Sequence, residues 1–124
     1  PVCHQTVSLV ARALETAGIA TVIIGSAIDI VEYCAVPRFV FTDFPLGNPC
    51  GKPFESKSQD HIFELAMKLL RTARTPQSII HSKLLWSKDL SWKSDFMYVG
   101  PENLSLLREQ GEKRRALQKQ AKTE

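Results

Sequence analysis

Two short apolar runs rich in β-branched residues constrain this chain more than any other feature. Residues 20–25 (ATVIIG) and 38–42 (RFVFT) have strand length and do not alternate apolar with polar, so each reads as a strand covered on both faces. Such strands belong to parallel sheets, and parallel neighbours need a crossover between them. Residues 26–34 (SAIDIVEYC) supply one as a short helix with Ile28, Val31 and either Tyr33 or Cys34 inward, ended by Pro37. Ahead of the first run, Val7, Val10, Ala11 and Leu14 recur at i, i+3, i+4 and i+7. That spacing predicts an amphipathic helix with this stripe buried, starting near Pro1 and stopping at Gly18. Helix, strand, helix, strand predicts an α/β fold: a Rossmann-like, three-layer parallel sheet with helices on both faces.

The longest helical pattern covers residues 56–74, with Ile62, Leu65, Ala66 and Leu69 on one stripe and Thr75-Pro76 as its end. Beyond it the pattern weakens. Residues 78–86 read as an extended arm, 92–98 as a short helix, and 102–122 as a polar helix with Leu104, Leu107 and Leu117 as its few apolar contacts and Gly111 weakening it. The expected organisation is therefore an α/β domain over residues 1–75, then an irregular arm and a basic helical C-terminal extension over 76–124.

Composition narrows the function classes. With 44% hydrophobic and 23% charged residues the chain is neither disordered nor disulfide-dense. No apolar run approaches the ~18 residues of a membrane span, and no basic-then-apolar leader pattern is visible. Three unevenly spaced cysteines, Cys3, Cys34 and Cys50, argue against a secreted disulfide framework and for a reducing compartment, so a cytoplasmic location is expected. Residues 108–124 carry six basic and three acidic side chains, a surplus equal to the whole net charge of +3. The body is neutral, so nucleic acid is not expected as a partner except through the tail.

Residues 43–54 (DFPLGNPCGKPF) hold three Pro, two Gly and a Cys, and follow the carboxyl end of a predicted strand. Open parallel sheets place their ligands there, and the first helix starts on the same side, so Cys3 and this loop are expected to face each other across a crevice. The loop is not a phosphate loop: three residues, not four, separate Gly47 from Gly51, and Pro53 stands where magnesium-binding Ser or Thr is needed. No metal-ligand spacing is present, and His61 and His81 have no local partner. Cys3 lies in the first turn of a helix, beside free N–H groups at the positive end of the dipole, which favours a nucleophilic or redox thiol; a buried structural cysteine is the alternative. His4 can serve it as a proton carrier or point at solvent. Cys34 reads as core.

These residues also carry a family resemblance. Cys3-His4-Gln5-Thr6-Val7-Ser8-Leu9-Val10, then Glu15-Thr16-Ala17-Gly18, Val36-Pro37-Arg38-Phe39, and above all Phe44-Pro45-Leu46-Gly47-Asn48-Pro49-Cys50-Gly51-Lys52-Pro53, resemble the carboxyl-terminal part of the glycine/sarcosine/betaine reductase selenoprotein B family, which includes the D-proline reductase selenoprotein subunit. The resemblance covers residues 1–75. It implies reductive C–N bond cleavage of an amino acid or betaine. In that family a selenocysteine or cysteine immediately precedes the segment matching Pro1-Val2-Cys3, forming a redox pair in which Cys3 matches the resolving thiol. The chain is then expected to be the downstream piece of a longer polypeptide, without the upstream strands and the attacking atom, and with no other bound cofactor and no metal.

On this reading Cys3 and His4 are the candidate catalytic residues. Thr6, Asp43, Pro45, Gly47, Asn48, Cys50 and Gly51 are the candidate substrate-binding ones. Expected partners are other reductase subunits or a second copy meeting the bare sheet edge, and a thioredoxin-type reductant. The competing expectations are a non-catalytic α/β interaction domain that kept the scaffold, or a binding module built on the basic tail.

Overall fold

The computed structural model describes residues 2–121; the helix-start role expected for Pro1, and Lys122 and Glu124 of the tail, lie outside them. Two compact units are present, Pro1–Asp89 and Leu90–Glu124.

The first unit is α/β. Its elements are α1 (Val2–Thr16), β1 (Ile23–Gly25), α2 (Ile28–Tyr33), β2 (Arg38–Phe41), α3 (Ser56–Thr72) and β3 (Ser78–His81). The strands form one parallel sheet in the order β1-β2-β3, with Ile24 opposite Val40 and Val40 opposite Ile80. Each connection runs through a helix, as parallel pairing requires. The arm expected after Pro76 is therefore partly a strand: Ser78–His81 completes the sheet, and the compact unit runs to Asp89 rather than to residue 75. Only Ile79 and Ile80 are apolar in it, which is why it lacks the signature of a buried strand.

Successive residues of β1 and β2 point to opposite sides of the sheet. Ile23 and Phe39 join Ala11 of α1 and Val31, Cys34 and Val36 in one core cluster. Val40 joins Ala66 and Leu69 of α3 in another, with Ile24 and Ile80 packed against it. Cys34 is core whereas Tyr33 is 93% exposed, and of the expected α3 stripe Ile62, Ala66 and Leu69 are buried and Leu65 is half-buried.

Helix α1 departs from its expected orientation. His4, Ser8 and Ala11 are the buried residues, whereas Val7, Val10 and Leu14 are 42%, 50% and 37% exposed. Burying this narrow polar stripe is tolerable because its groups are bonded: Ser8 Oγ donates to the His4 carbonyl at 2.6 Å, and His4 finds partners beyond the helix. At the opposite end, Glu15 accepts hydrogen bonds from Thr21 Oγ1 at 2.8 Å and Arg38 Nη1 at 2.7 Å, fixing α1 to the start of β2. Arg12 donates to the Cys34 carbonyl at 3.3 Å, a cation at the C-terminus of α2.

The second unit holds α4 (Trp92–Asp95) and α5 (Leu104–Gln120). Asn103 organises the entry to α5, its Oδ1 accepting from Gly100 N at 2.9 Å and its Nδ2 donating to the Tyr98 carbonyl at 3.0 Å. No residue of α5 is buried, consistent with a solvated polar helix. Among the described residues no helix is long and apolar enough to cross a membrane.

Candidate functional site

The site lies at the carboxyl ends of β1 and β2. β1 ends at Gly25, just before Ser26, and the missing side chain of Gly25 makes room for the His4 ring. His4 is 7% exposed, and its Nε2 accepts the backbone N–H groups of Ser26 at 3.1 Å and Ala27 at 3.3 Å. Its Nδ1 faces Cys3 Sγ at 3.6 Å. Burial holds the imidazole below its ordinary pKa, with the Asp29 carboxylate pulling weakly the other way. Cys3 itself is exposed. A solvent-accessible sulfur thus sits against a ring anchored from behind.

Thr42, fully buried just past the end of β2, ties this corner to the Pro/Gly loop. Its Oγ1 lies 3.0 Å from the Pro49 carbonyl, 3.4 Å from the Gly25 carbonyl and 3.3 Å from Ser26 Oγ. One hydroxyl has one proton, so the shorter contact places it on Pro49, and Ser26 Oγ donates to Thr42. The loop is shaped by its glycines. Asn48 N donates to the Pro45 carbonyl at 3.0 Å across a turn in which Gly47 has φ +97°. Gly51, at φ +112°, lies so close to α3 that a Cβ would stand 2.8 Å from the Gln59 backbone. Lys52 N donates to Ser58 Oγ at 3.0 Å, and Gln59 Nε2 to the Lys52 carbonyl at 2.9 Å, clamping the loop to the first turns of α3.

Together the loop and α3 border an open cavity of about 480 Å³, lined by Gly47, Asn48, Cys50 and Gly51 with Ile24, Ile62 and Phe63 on its apolar side. This divides the candidate residues. The cavity opens on the Ile24 side of β1, whereas His4 packs on the side of Phe39, because strand residues alternate. The single crevice expected between Cys3 and the loop is thus two adjoining features, joined through Ser26, Thr42 and Pro49. Thr6 lines neither, and its hydroxyl donates to the Val2 carbonyl of its own helix at 3.1 Å. Asp43 is exposed and Pro45 buried, both outside the cavity wall. Gly25, Ser26, Ala27 and Thr42 were not legible as site residues. Their signal was a Gly-Ser pair and a Thr, each placed at the end of an apolar run.

Among the described residues no group of three or more His, Cys, Asp or Glu is arranged to hold a metal ion. His61 is exposed on α3, and His81 packs edge-on against Phe41 with ring centroids 5.3 Å apart.

No family model matches the chain, and no solved structure matches it. Over 68 residues, 55% of this chain, it is 34% identical to the D-proline reductase subunit gamma of Acetoanaerobium sticklandii, and the match covers 28% of that protein. The chain therefore spans little more than a quarter of this relative's length, and the likeness supports a distant relationship to that reductase family.

Proposed function

We propose that this chain is a component of a selenoprotein B-type reductase, in which Cys3 is the resolving thiol of a Sec/Cys-x-x-Cys pair and reductive cleavage of a C–N bond in an amino acid or betaine is the reaction. The observation that carries the reading is an exposed thiol held 3.6 Å from an anchored imidazole at the carboxyl end of a parallel sheet, within a chain distantly related to a D-proline reductase subunit. The partner chalcogen belongs in the position before Pro1, within a Rossmann-like three-layer sheet continued beyond β1. Cys3 closes the oxidised pair, and a thioredoxin-type donor reopens it. Asn48 and the backbone around Gly47 and Gly51 offer hydrogen bonds to a substrate carboxylate in the adjoining cavity. Other reductase subunits are the expected partners, in the cytoplasm.

Alkylation by iodoacetamide near neutral pH, followed by mass spectrometry, tests this. Cys3 should react faster than Cys50, which is also exposed, and faster than free cysteine. Equal rates at the two positions remove the thiol reading.

A second reading has an observation of its own. β1 is an edge of the described sheet, and the neighbouring helix α1 exposes Val2, Val7, Leu9 and Val10. A scaffold kept as a non-catalytic interaction domain would present this kind of surface. Cys3 reacting no faster than Cys50, together with concentration-dependent self-association, favours it.

A further inference from the structure

We propose that the Ser26 and Ala27 backbone amides, brought against His4 across Gly25, lock the imidazole with its proton on Nδ1, so that His4 acts on Cys3 as a hydrogen-bond donor and not as a base. The proposal rests on the reading of Cys3 as a working thiol.

A neutral imidazole has one nitrogen that donates and one that accepts. Two backbone N–H groups converge on Nε2, and a backbone amide can only donate there. Nε2 must therefore present its lone pair, and the ring proton goes to Nδ1, the atom facing Cys3 Sγ. The arrangement satisfies both partners. α2 opens on Ala27, which has no side-chain cap, and the N–H groups at a helix start have no acceptor within the helix. His4, reaching from α1, supplies an acceptor to the Ser26 and Ala27 amides that lead into α2. An imidazolium would turn a second N–H against those two amides inside a buried pocket. Asp29 on α2 is the charged group that favours it, and Cys3 is the titratable neighbour on its own helix.

The consequence for Cys3 is directional. Nδ1–H can donate to a thiolate, but it cannot take the thiol proton, because the ring's basic nitrogen is occupied. The proton of Cys3 leaves to solvent, to which the side chain is open. Ser26, Ala27 and Gly25 are thus positioning residues that act through His4.

Nitrogen-15 NMR of the full chain at neutral pH, with His61 and His81 replaced by Gln to isolate the His4 ring, reads the tautomer directly. A protonated Nδ1 with an unprotonated Nε2 is expected; a proton on Nε2, or an imidazolium, overturns the proposal. His4→Asn keeps an amide N–H where Nδ1–H stands, and His4→Leu removes it. The Asn variant should alkylate Cys3 within about threefold of the parent rate and the Leu variant about tenfold more slowly, the loss of one hydrogen bond to a charged group. An Asn variant as slow as the Leu variant overturns donor action. Slow alkylation of Cys3 in the parent, alongside an Nδ1–H ring, supports the lock and removes the thiol reading alone.

Discussion

The ring of His4 lies against Gly25 so closely that a Cβ built there would stand 3.0 Å from both its Cδ2 and its Nε2, and 2.9 Å from Cε2 of Phe39. Phe39 is fully buried and cannot yield. Gly25→Ala therefore displaces His4 from the Ser26 and Ala27 amides, or strains the sheet. Overpacking of this kind costs about 1–3 kcal/mol, which urea denaturation would measure. A shift of the His4 ring resonances with full stability retained identifies the ring as the part that moves. An unchanged ring and unchanged stability contradict the packing described.

Thr42 makes a separate prediction about the loop. Thr42→Val keeps shape and burial but leaves the Pro49 carbonyl without its donor and Ser26 Oγ without its acceptor. The cost should be about 1–3 kcal/mol, with Thr42→Ser close to the parent. Because the loss falls on the tether between sheet and loop, amide exchange should quicken around Asn48 and Gly51 while the α3 core stays protected. Uniform quickening through Ile62 and Leu69 would instead place Thr42 in the global core.

How much of this was legible in sequence depended on which force dominated each element. α3 could be read because its contact with the sheet is apolar: Ile62, Ala66 and Leu69 are buried at the spacing that marks them. The parallel α/β class followed from the two β-branched runs for the same reason. α1 misled because its sheet-facing stripe is His4, Ser8, Ala11 and Glu15, a helical period written in small and polar residues. Its more hydrophobic stripe faces outward, and amphipathic patterning assigns the greasier face to the core by default. His4 and Ser8 are buried because hydrogen bonds satisfy them; Ser8 bonds the His4 carbonyl within α1, but the His4 ring depends on Ser26 and Ala27, more than twenty positions away in the chain. Cys3, Asn48 and Cys50 were visible as chemistry, but their separation onto two sides of β1 depends on which way Ile24 points.

Glu15 should contribute to the acid sensitivity of the fold. Burial alone would raise its carboxyl pKa, but hydrogen bonds from Thr21 and the Arg38 guanidinium outweigh that and hold it below the usual carboxylate range. With the folded value lower, the unfolded chain binds the proton first, so this stabilisation is complete above the ordinary glutamate value of about 4.3 and is lost as pH falls through the folded value. Glu15→Gln should lower the urea midpoint at neutral pH and flatten its decline in that acidic window. Parallel pH profiles for parent and variant would place the acid sensitivity elsewhere.

Val10 and Ala11 sit side by side on α1 and should answer mutation in opposite ways. Val10 is 50% exposed and Ala11 4%, although sequence spacing places both on the same stripe. Val10→Lys should change stability by no more than about 0.5 kcal/mol, as surface substitutions usually do. Ala11→Leu forces three extra carbons among Ile23, Val31 and Phe39 and should cost about 1–3 kcal/mol. The same Val10→Lys change also tests the surface beside β1: if copies of the chain meet there, a lysine on the apolar face should weaken association in sedimentation velocity while denaturation stays unchanged. A large loss of stability from Val10→Lys, with Ala11→Leu tolerated, would mean that α1 is rotated from the orientation described. The His4 contacts would then fall with it, since His4 and Ala11 share the face that meets the sheet.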